Sequence, residues 1–288
     1  MAVVEITNGD PELQHAFCEY VPTIDMFADL DFHRWRARGE WTEHYRAFAV
    51  VEHDVVVASV SVATMSLVVE GCELVGYQLG AVGCRYDRRR TGLAAQAMDA
   101  ALQFCGTAPM MLFANPTVLD FYPRFGFEAA AQHAFSAEHV AAPTGARAGM
   151  IDPSGAEGRA ALHAAAGRAL ASTSRFGAVR YDDIIAWYVD NDLARPLRVL
   201  DNGALVFAAV EQGTLFIDDV LSETQFDLLP EVPRLIDEPV TRVEFGFSPE
   251  QWWHGPVGPR VDDDSHLFLR NFPSTPADPS QFPLLAHT

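Results

Sequence analysis

Lysine is absent from this 288-residue sequence, and all 20 of its basic residues are arginine. A chain without lysine cannot form a lysine Schiff base or acetylate a lysine of its own. Together with abundant alanine, this absence indicates the coding bias of a GC-rich bacterium. Acidic residues number 39, so the formal net charge is −19. That charge argues against a nucleic-acid partner and weakly favours a cationic substrate such as a polyamine or an aminosugar, although solubility explains it equally well.

Cysteine and long apolar runs are scarce as well. The four cysteines, Cys18, Cys72, Cys84 and Cys105, form neither a Cys-x-x-Cys pair nor a cluster with histidine. The sequence therefore predicts buried thiols, no structural disulfide and no metal site. No apolar run approaches the ~18 residues of a membrane span, and residues 1–10 lack the pattern of a signal peptide. We expect a cytoplasmic protein that does not bind a membrane.

An arginine-rich turn separates a predicted strand from a predicted helix. The apolar run 79–84 precedes the turn, and a helical pattern follows at 95–104. The turn consists of Arg88, Arg89, Arg90, Thr91, Gly92, Leu93 and Ala94. A helix N-terminus has unpaired N–H groups and partial positive charge, so it favours an anion such as a pyrophosphate. Neither the dinucleotide-binding nor the P-loop glycine spacing is present, and an arginine run is also common on solvated surfaces.

A second motif follows about twenty residues later. The apolar pattern of residues 109–113 predicts a short buried strand. A predicted helix begins at Asn115, continues through Tyr122 and ends at Gly126. Three patterns follow one another here: Arg89-x-x-Gly92-x-Ala94, then Asn115, then Phe121-Tyr122-x-x-x-Gly126-Phe127. Their order resembles the two signature motifs of the GNAT superfamily. Members of this superfamily are acyl-CoA-dependent N-acyltransferases.

The resemblance implies a role for each matching position. The turn would bind the CoA pyrophosphate through backbone amides at Arg89, Arg90, Thr91, Gly92, Leu93 and Ala94. The preceding strand would splay from its neighbour and pair with the pantetheine arm at Val82, Gly83 and Cys84, and the amide nearest Val82 would hold the acyl carbonyl. Asn115 would hold the cofactor arm, and Tyr122 would protonate the departing thiolate. From the residues alone, Tyr122 also fits a core tyrosine beneath the Gly126 turn, and Cys84 fits packing better than covalent catalysis.

The general base is left open. Relatives with a carboxylate base on this strand carry it eleven residues before the position of Arg89, where this sequence has Gln78. Glutamine cannot act as a base, although it can hold a water. Glu73, earlier in the same strand, is one candidate. Further candidates lie where the family has its substrate-facing segment, namely Asp29, Asp31, His33, Trp35, Glu43 and His44. Some tandem relatives place their chain-terminal carboxylate in the active site, which makes the Thr288 carboxylate another hypothesis.

The length predicts two domains, and residues 141–146 mark a boundary. Beyond it, the predicted order β-α-α-β-β-β-α-β-α-β repeats that of a GNAT domain, with helices at 155–172, around 184–189 and at 223–236. Predicted strands lie at 149–152, 197–200, 204–210, 214–221, 241–247 and 266–270. After 214–221 there is no arginine-glycine turn, and Asp218 and Asp219 would repel a pyrophosphate. The second half therefore resembles a degenerate copy that does not bind CoA.

We thus predict an α/β (α+β) fold of two GNAT-like domains, each with a mixed, mostly antiparallel sheet flanked by helices. The predicted parts are a catalytic domain at 1–140, a degenerate domain at 147–271 and an extended C-terminal tail at 272–288. The second domain would pack on the first, close the substrate cleft or form a homodimer.

The predicted activity is acetyl transfer from acetyl-CoA to a small-molecule amine by direct attack on the thioester. One alternative is an acyl-CoA-binding regulatory protein without turnover, and another is an enzyme that uses a different acyl-CoA. Gln78 at the base position favours the regulator, whereas Tyr122 favours the enzyme.

Overall fold

The computed structural model describes residues 3–24, 27–276 and 279–288. Its strands are β1 (Val3–Ile6), β2 (Tyr45–Glu52), β3 (Val55–Val69), β4 (Cys72–Cys84), β5 (Met110–Phe113), β6 (Glu128–Ala130), β7 (His133–Ala141), β8 (Gly149–Ile151), β9 (Phe176–Val179), β10 (Leu197–Val199), β11 (Leu205–Glu211), β12 (Thr214–Leu221), β13 (Val240–Phe245), β14 (Gly258–Val261) and β15 (Leu267–Arg270). Its α-helices are α1 (Pro11–Tyr20), α2 (Phe32–Ala37), α3 (Leu93–Cys105), α4 (Ala156–Ala166), α5 (Asp182–Asp190) and α6 (Val232–Leu235). No described helix has the length and apolar character needed to cross a membrane.

Two sheets organise the described residues. The first has eight strands in the order β1-β2-β3-β4-β5-β15-β6, with β9 paired to the end of β3. The second has seven strands in the order β14-β7-β13-β12-β11-β10-β8. Within the described strands, the parallel pairs are β4 with β5 and β12 with β13, and the other pairs are antiparallel. The predicted fold class, two mixed and mostly antiparallel sheets flanked by helices, is confirmed.

The two sheets do not follow the predicted division of the chain at residues 140–147. Strand β7, predicted to belong to the first domain, pairs with β13 and β14 in the second sheet. In return, β15 lies between β5 and β6 of the first sheet, and β9 extends that sheet along β3. Each sheet therefore contains strands from both halves of the sequence. The catalytic and degenerate roles of the two halves remain predictions.

Proline shortens two predicted helices. The segment 223–236 was expected to be helical, but only a 3₁₀ turn at Leu229–Glu231 and α6 form, because Pro230 and Pro233 lack the N–H that a helix interior requires. Likewise, Asn115 to Tyr122 forms no continuous helix. Pro116 and Pro123 begin two separate 3₁₀ turns, Pro116–Val118 and Tyr122–Phe125.

The C-terminal tail enters the core between the two sheets. Phe282, Leu285 and Ala286 are fully buried. The Leu284 amide donates a hydrogen bond of 2.7 Å to the Gly246 carbonyl, just after β13 ends. The tail therefore contributes apolar packing to the structure, and its apolar, proline-rich sequence suits a docked segment.

A charged network also joins the two halves of the chain. The imidazole of His163 on α4 lies 2.5 Å from Asp182 Oδ2 and 3.0 Å from Glu40 Oε1. The Arg159 guanidinium donates to Glu40 at 3.0 Å and to the buried carboxylate of Asp190 at 2.6 Å. The hydrogen bond to Asp182 and the one to Glu40 together raise the pKa of His163 to about 10. At neutral pH the imidazole is therefore a cation held between two carboxylates.

We expect His163→Ala to lower the free energy of unfolding by about 2 kcal/mol, the contribution of a charge-assisted hydrogen bond. Because the folded-state pKa lies above the ordinary value of 6.5, the contribution is complete below pH 6.5 and is lost as pH rises through about 10. Urea unfolding of both proteins at pH 6, 8 and 10 measures this difference. The exposed His254→Ala is the control, and a pH-independent difference for His163→Ala would contradict the assignment.

Candidate functional site

Strands β4 and β5 separate part-way along their length. Their parallel ladder joins residues 77–79 to residues 110–112 and stops there. β4 continues to Cys84, and at Ala81 it has a bulge with a positive φ of 42°. Ser59 stabilises the bulge by donating a 2.8 Å hydrogen bond to the Ala81 carbonyl. No described strand pairs with residues 80–84 on the β5 side, so an extended ligand arm can pair there.

The splayed end of β4 leads directly into the predicted anion-binding turn. Gly92 caps α3 with a φ of 84°, and a Cβ at this position would meet no atom within 4 Å. The space beside the cap of α3 is therefore open. Arg90 also has a positive φ, 64°, and the Thr91 hydroxyl donates to the Arg88 carbonyl at 2.5 Å. The local backbone thus forms a tight, bare turn at the N-terminus of a 13-residue helix.

The side chains of the turn have different environments. Arg88 donates to Glu52 at 2.9 Å, and the Arg89 guanidinium lies 5.1 Å from the centre of the Tyr86 ring. Arg90 is exposed. Leu93 is buried against β2 and β3, so only its backbone can serve a ligand, while the small, half-buried Ala94 leaves the next turn accessible.

The predicted pantetheine positions lie along the splayed part of β4. Val82 packs against the core cluster that contains Tyr122. Gly83 is closely packed, because a Cβ there would lie 3.1 Å from Ile24 Cγ1 and 3.2 Å from the Tyr20 hydroxyl, and these side chains would have to shift to admit it. Cys84 is half-buried, and burial raises the pKa of its thiol. A protonated thiol is a poor nucleophile, which agrees with the predicted packing role.

Tyr122 and Asn115 lie on the loops beyond β5. Tyr122 is 4% exposed and contacts the rings of Phe127 and Phe268. Burial raises the pKa of Tyr122 to about 12, so the phenol keeps its proton at neutral pH. Asn115 Oδ1 accepts hydrogen bonds from the backbone amide and the hydroxyl of Thr117, at 2.8 and 2.6 Å, and thereby caps the following turn.

Solved structures share this architecture. A probable N-acyltransferase of unknown function from Enterococcus faecalis matches with a TM-score of 0.59 and 14% identity, over 94% of this chain and 72% of its own. Eis1 from Mycobacterium abscessus matches with a TM-score of 0.54 and 16% identity, over 89% and 71%. A GCN5-related N-acetyltransferase from Kribbella flavida matches with a TM-score of 0.51 and 16% identity, over 93% and 71%. This chain has the GNAT fold. No protein-family model and no curated protein matches the sequence.

Within this GNAT fold, Gln78 holds the C-terminal tail. Its fully buried side chain donates to the Ala286 carbonyl at 2.7 Å and accepts from the Thr288 amide at 2.8 Å. Both ends of the amide are therefore occupied, and Gln78 positions the tail instead of holding a water. Gly80 makes room for it, because a Cβ there would lie 2.8 Å from the Thr288 carbonyl carbon. Thr288 thus reaches the point where β4 and β5 separate.

Glu73 lies apart from the other candidates. It precedes Gln78 by five residues, or about 16 Å along the strand, and is half-exposed in an ion pair with Arg180. Among the other proposed bases, Asp31 caps α2 by accepting from the His33 amide at 2.7 Å, and His33 pairs with Glu19 at 2.9 Å. Glu73, Asp31 and His33 therefore each have a partner within the protein.

Sequence reasoning missed an aromatic cavity beside the splay. Its volume is about 170 Å³, and its lining comprises Val21, Phe27, Leu30, Phe32, Trp35, Tyr45, Ala81, Ile184, Trp187, Tyr188, His287 and Thr288. Of the predicted base candidates in the segment 27–44, Trp35 is the one in this lining. The sequence did contain one signal for a close contact beside this cavity, namely Gly80. A glycine in the interior of a strand often marks a site where another backbone approaches closely.

The corresponding region of the second sheet is filled. The parallel pairing of β12 with β13 ends at Ile217, whereas β12 continues to Leu221. There Asp218 accepts from Arg195 at 2.5 Å and Asp219 accepts from the Tyr181 hydroxyl at 2.5 Å, both within the core. The tail crosses the same place, because Leu284 is bonded to Gly246. These contacts support the prediction that this half does not bind CoA.

One described cluster has the chemistry of a metal site. His15, Glu19 and His33 offer ligand atoms that all lie within 4.8 Å of one another. None of the cysteines belongs to this cluster. The group lies on the largely exposed surfaces of α1 and α2, where the ion pair between His33 and Glu19 already explains its geometry.

Cys18 and Cys105 are buried as predicted, whereas Cys84 is half-buried and Cys72 is exposed, so the prediction of buried thiols is wrong for Cys72.

Proposed function

We propose that this protein is a cytoplasmic N-acetyltransferase that transfers the acetyl group of acetyl-CoA to the amine of a small molecule. The observation that carries the proposal is the splay of β4 from β5 where β4 leads into the bare turn at Gly92. An extended arm that ends in a pyrophosphate fits this pair of features. The GNAT fold and the protonated Tyr122 support the same conclusion.

The residues of the splay and the turn would hold the donor. Amides at the start of α3, with Arg89 and Arg90, would bind the pyrophosphate. Unpaired backbone groups of residues 80–84 would pair with the pantetheine arm, and Asn115 would position it. When bound, acetyl-CoA supplies an activated acetyl thioester that an amine can attack. The amide near Val82 would stabilise the charge that develops on the carbonyl oxygen.

Tyr122 would act as the general acid. Its raised pKa keeps the phenol protonated, and it belongs to the core cluster against which Val82 packs, next to the splay. The departing thiolate needs a proton, which the phenol can donate. Its burial among aromatic rings also serves packing, so removal of the hydroxyl alone separates the two roles.

Thr288 would supply the proton acceptor. A chain that ends at this residue carries its α-carboxylate beside Gly80, at the point where the strands separate. Gln78 fixes that position through the Thr288 amide. Neither Gln78, whose amide is occupied, nor Glu73, whose carboxylate pairs with Arg180, is supported as the base.

We expect calorimetric titration to show one acetyl-CoA site per chain, and Gly92→Ala to weaken the affinity at least tenfold, or about 1.4 kcal/mol. An added Cβ would occupy the open space over the turn and would strain a positive φ. Gly106→Ala is the matched control, because Gly106 at the other end of α3 also has a positive φ and open space. Two sites per chain, or equal effects of the two variants, would contradict the assignment.

Tyr122→Phe should lower kcat by ten- to ten-thousand-fold and leave the acetyl-CoA affinity unchanged, because the variant keeps the ring and loses only the acidic proton. Steady-state release of CoA, measured with a thiol reagent, provides kcat. Tyr77→Phe, in the same cluster, is the control. Equal turnover would remove the acid role, and acetyl-CoA binding without turnover of any amine would favour the regulatory alternative.

One glycine appended after Thr288 should lower kcat by about a hundredfold or more with no change in acetyl-CoA affinity, because it moves the terminal carboxylate away from Gly80. Thr288→Ala retains a carboxylate at the original place and should keep most of the activity. Unchanged turnover in the extended protein would exclude the carboxylate as the base.

A further inference from the structure

The aromatic cavity lies where an acceptor would have to enter. Its lining includes Ala81, at the bulge of β4, and Thr288, at the splay, so one end of the cavity opens next to the proposed thioester position. Elements from both halves of the chain form its walls, with Trp35 from α2, Tyr45 from β2 and Trp187 from α5. The cavity therefore belongs to the complete chain and to neither half alone.

We propose that this cavity binds the acceptor, and that the acceptor is a primary amine on a short carbon chain attached to a single aromatic ring. The proposal rests on the proposed acetyl transfer. It identifies the substrate class by the size, polarity and hydrogen-bonding capacity of the cavity walls.

Size limits the acceptor to one ring. The cavity volume is about 170 Å³. An apolar protein cavity of about 150 Å³ accommodates benzene, so this space holds one six-membered ring and a short chain. An aminosugar with several rings or an extended polyamine exceeds it.

The polarity of the walls excludes a polycation. None of the described residues in the lining has a charged side chain, because His287 is itself uncharged: burial lowers its pKa to about 4. A second ammonium group inside the cavity would lose its water without gaining a charged partner. Neighbouring wall rings meet at steep angles, such as Trp35 against Tyr45 at 5.1 Å and Phe32 against Trp187 at 5.6 Å. An aromatic guest can extend this arrangement.

His287 provides the polar end of the cavity. Its ring stacks on Phe113 at 3.7 Å and forms a hydrogen bond with the Phe282 backbone. Nε2 is buried without a partner among the described residues, so the bond to Phe282 is made by Nδ1–H and Nε2 keeps its lone pair. An amine N–H can donate to that lone pair, whereas a long acyl chain in the same cavity would leave it unpaired. This difference favours the acceptor over the acyl group as the occupant.

The reaction at this site balances without a further reagent. The amine nitrogen, oriented by His287, forms a bond to the acetyl carbon, and the bond from that carbon to sulfur breaks. In a chain that ends at Thr288, the amine loses one proton to the terminal carboxylate, and the thiolate takes one from Tyr122. Transfer of a proton from that carboxylic acid to the Tyr122 phenolate restores both groups. The products are an N-acetyl aromatic amine and free CoA.

The test uses the full chain with 2-phenylethylamine, hexylamine, spermidine and glucosamine as acceptors. We expect kcat/KM for 2-phenylethylamine to exceed that for spermidine and glucosamine at least a hundredfold. We also expect 2-phenylethylamine to change the tryptophan fluorescence of the free protein, because Trp35 and Trp187 line the cavity.

The variant Trp187→Ala enlarges the cavity. It should raise KM for 2-phenylethylamine at least tenfold and increase kcat/KM for the two-ring tryptamine relative to that for 2-phenylethylamine. The exposed Leu193→Ala, just beyond α5, should change neither value.

Different failures have different meanings. Turnover of spermidine or glucosamine at or above that of 2-phenylethylamine would overturn the acceptor class and leave acetyl transfer intact. A preference for hexanoyl-CoA over acetyl-CoA that disappears in Trp187→Ala would place the acyl chain in the cavity and overturn the proposal. Absence of any fluorescence change, with or without CoA, would also overturn it. Loss of acetyl-CoA binding itself would instead refute the proposed function.

Discussion

The short parallel pairing of β4 with β5 is the constraint on which the site depends. Three residue pairs hold the two strands together, and beyond Leu79 no described strand pairs with the backbone of β4 on that side. Unpaired backbone groups in a protein interior require other partners. The chain provides some of them itself, because Gln78 binds the tail at this place and Gly80 leaves room for Thr288. The rest of the gap opens towards the turn at Gly92, where an extended ligand would complete the pairing.

The second sheet has the same feature with a different outcome. Its parallel pair, β12 with β13, also ends before β12 does. Here Leu284 of the tail binds the chain after β13, and the buried Asp218 and Asp219 find partners within the protein. These contacts support the prediction that the second half does not bind CoA. The C-terminal tail thus fills the gap between β12 and β13 and borders the gap between β4 and β5. This difference explains why two similar sheets offer one candidate site.

Local sequence patterns predicted many of the helices and strands. They did not predict which residues distant in sequence come into contact. Strand β12 has the predicted bounds, and helix α3 begins at the turn that glycine and arginine marked. The role of Gln78 could not be predicted, because its partner Thr288 lies 210 residues away and no local pattern encodes the contact. The exchange of β7 and β15 between the sheets was missed for the same reason, since a strand pattern does not identify its neighbour. Pro230 was a local signal against the predicted helix at 223–236, because proline interrupts a helix interior.

The distribution of charge bears on the preference for a cationic substrate that the composition indicated. The chain carries a net charge of −19, yet among the described residues no acidic side chain lines the aromatic cavity. A negative protein attracts ammonium ions from a distance, whereas an apolar cavity disfavours the charged form of whatever enters it. For an amine acceptor the two effects act in sequence: the field of the whole protein favours its approach, and desolvation then favours loss of the proton. Acetyl transfer requires that neutral amine. The acidity of the chain is therefore compatible with an acceptor site that itself contains no acidic side chain.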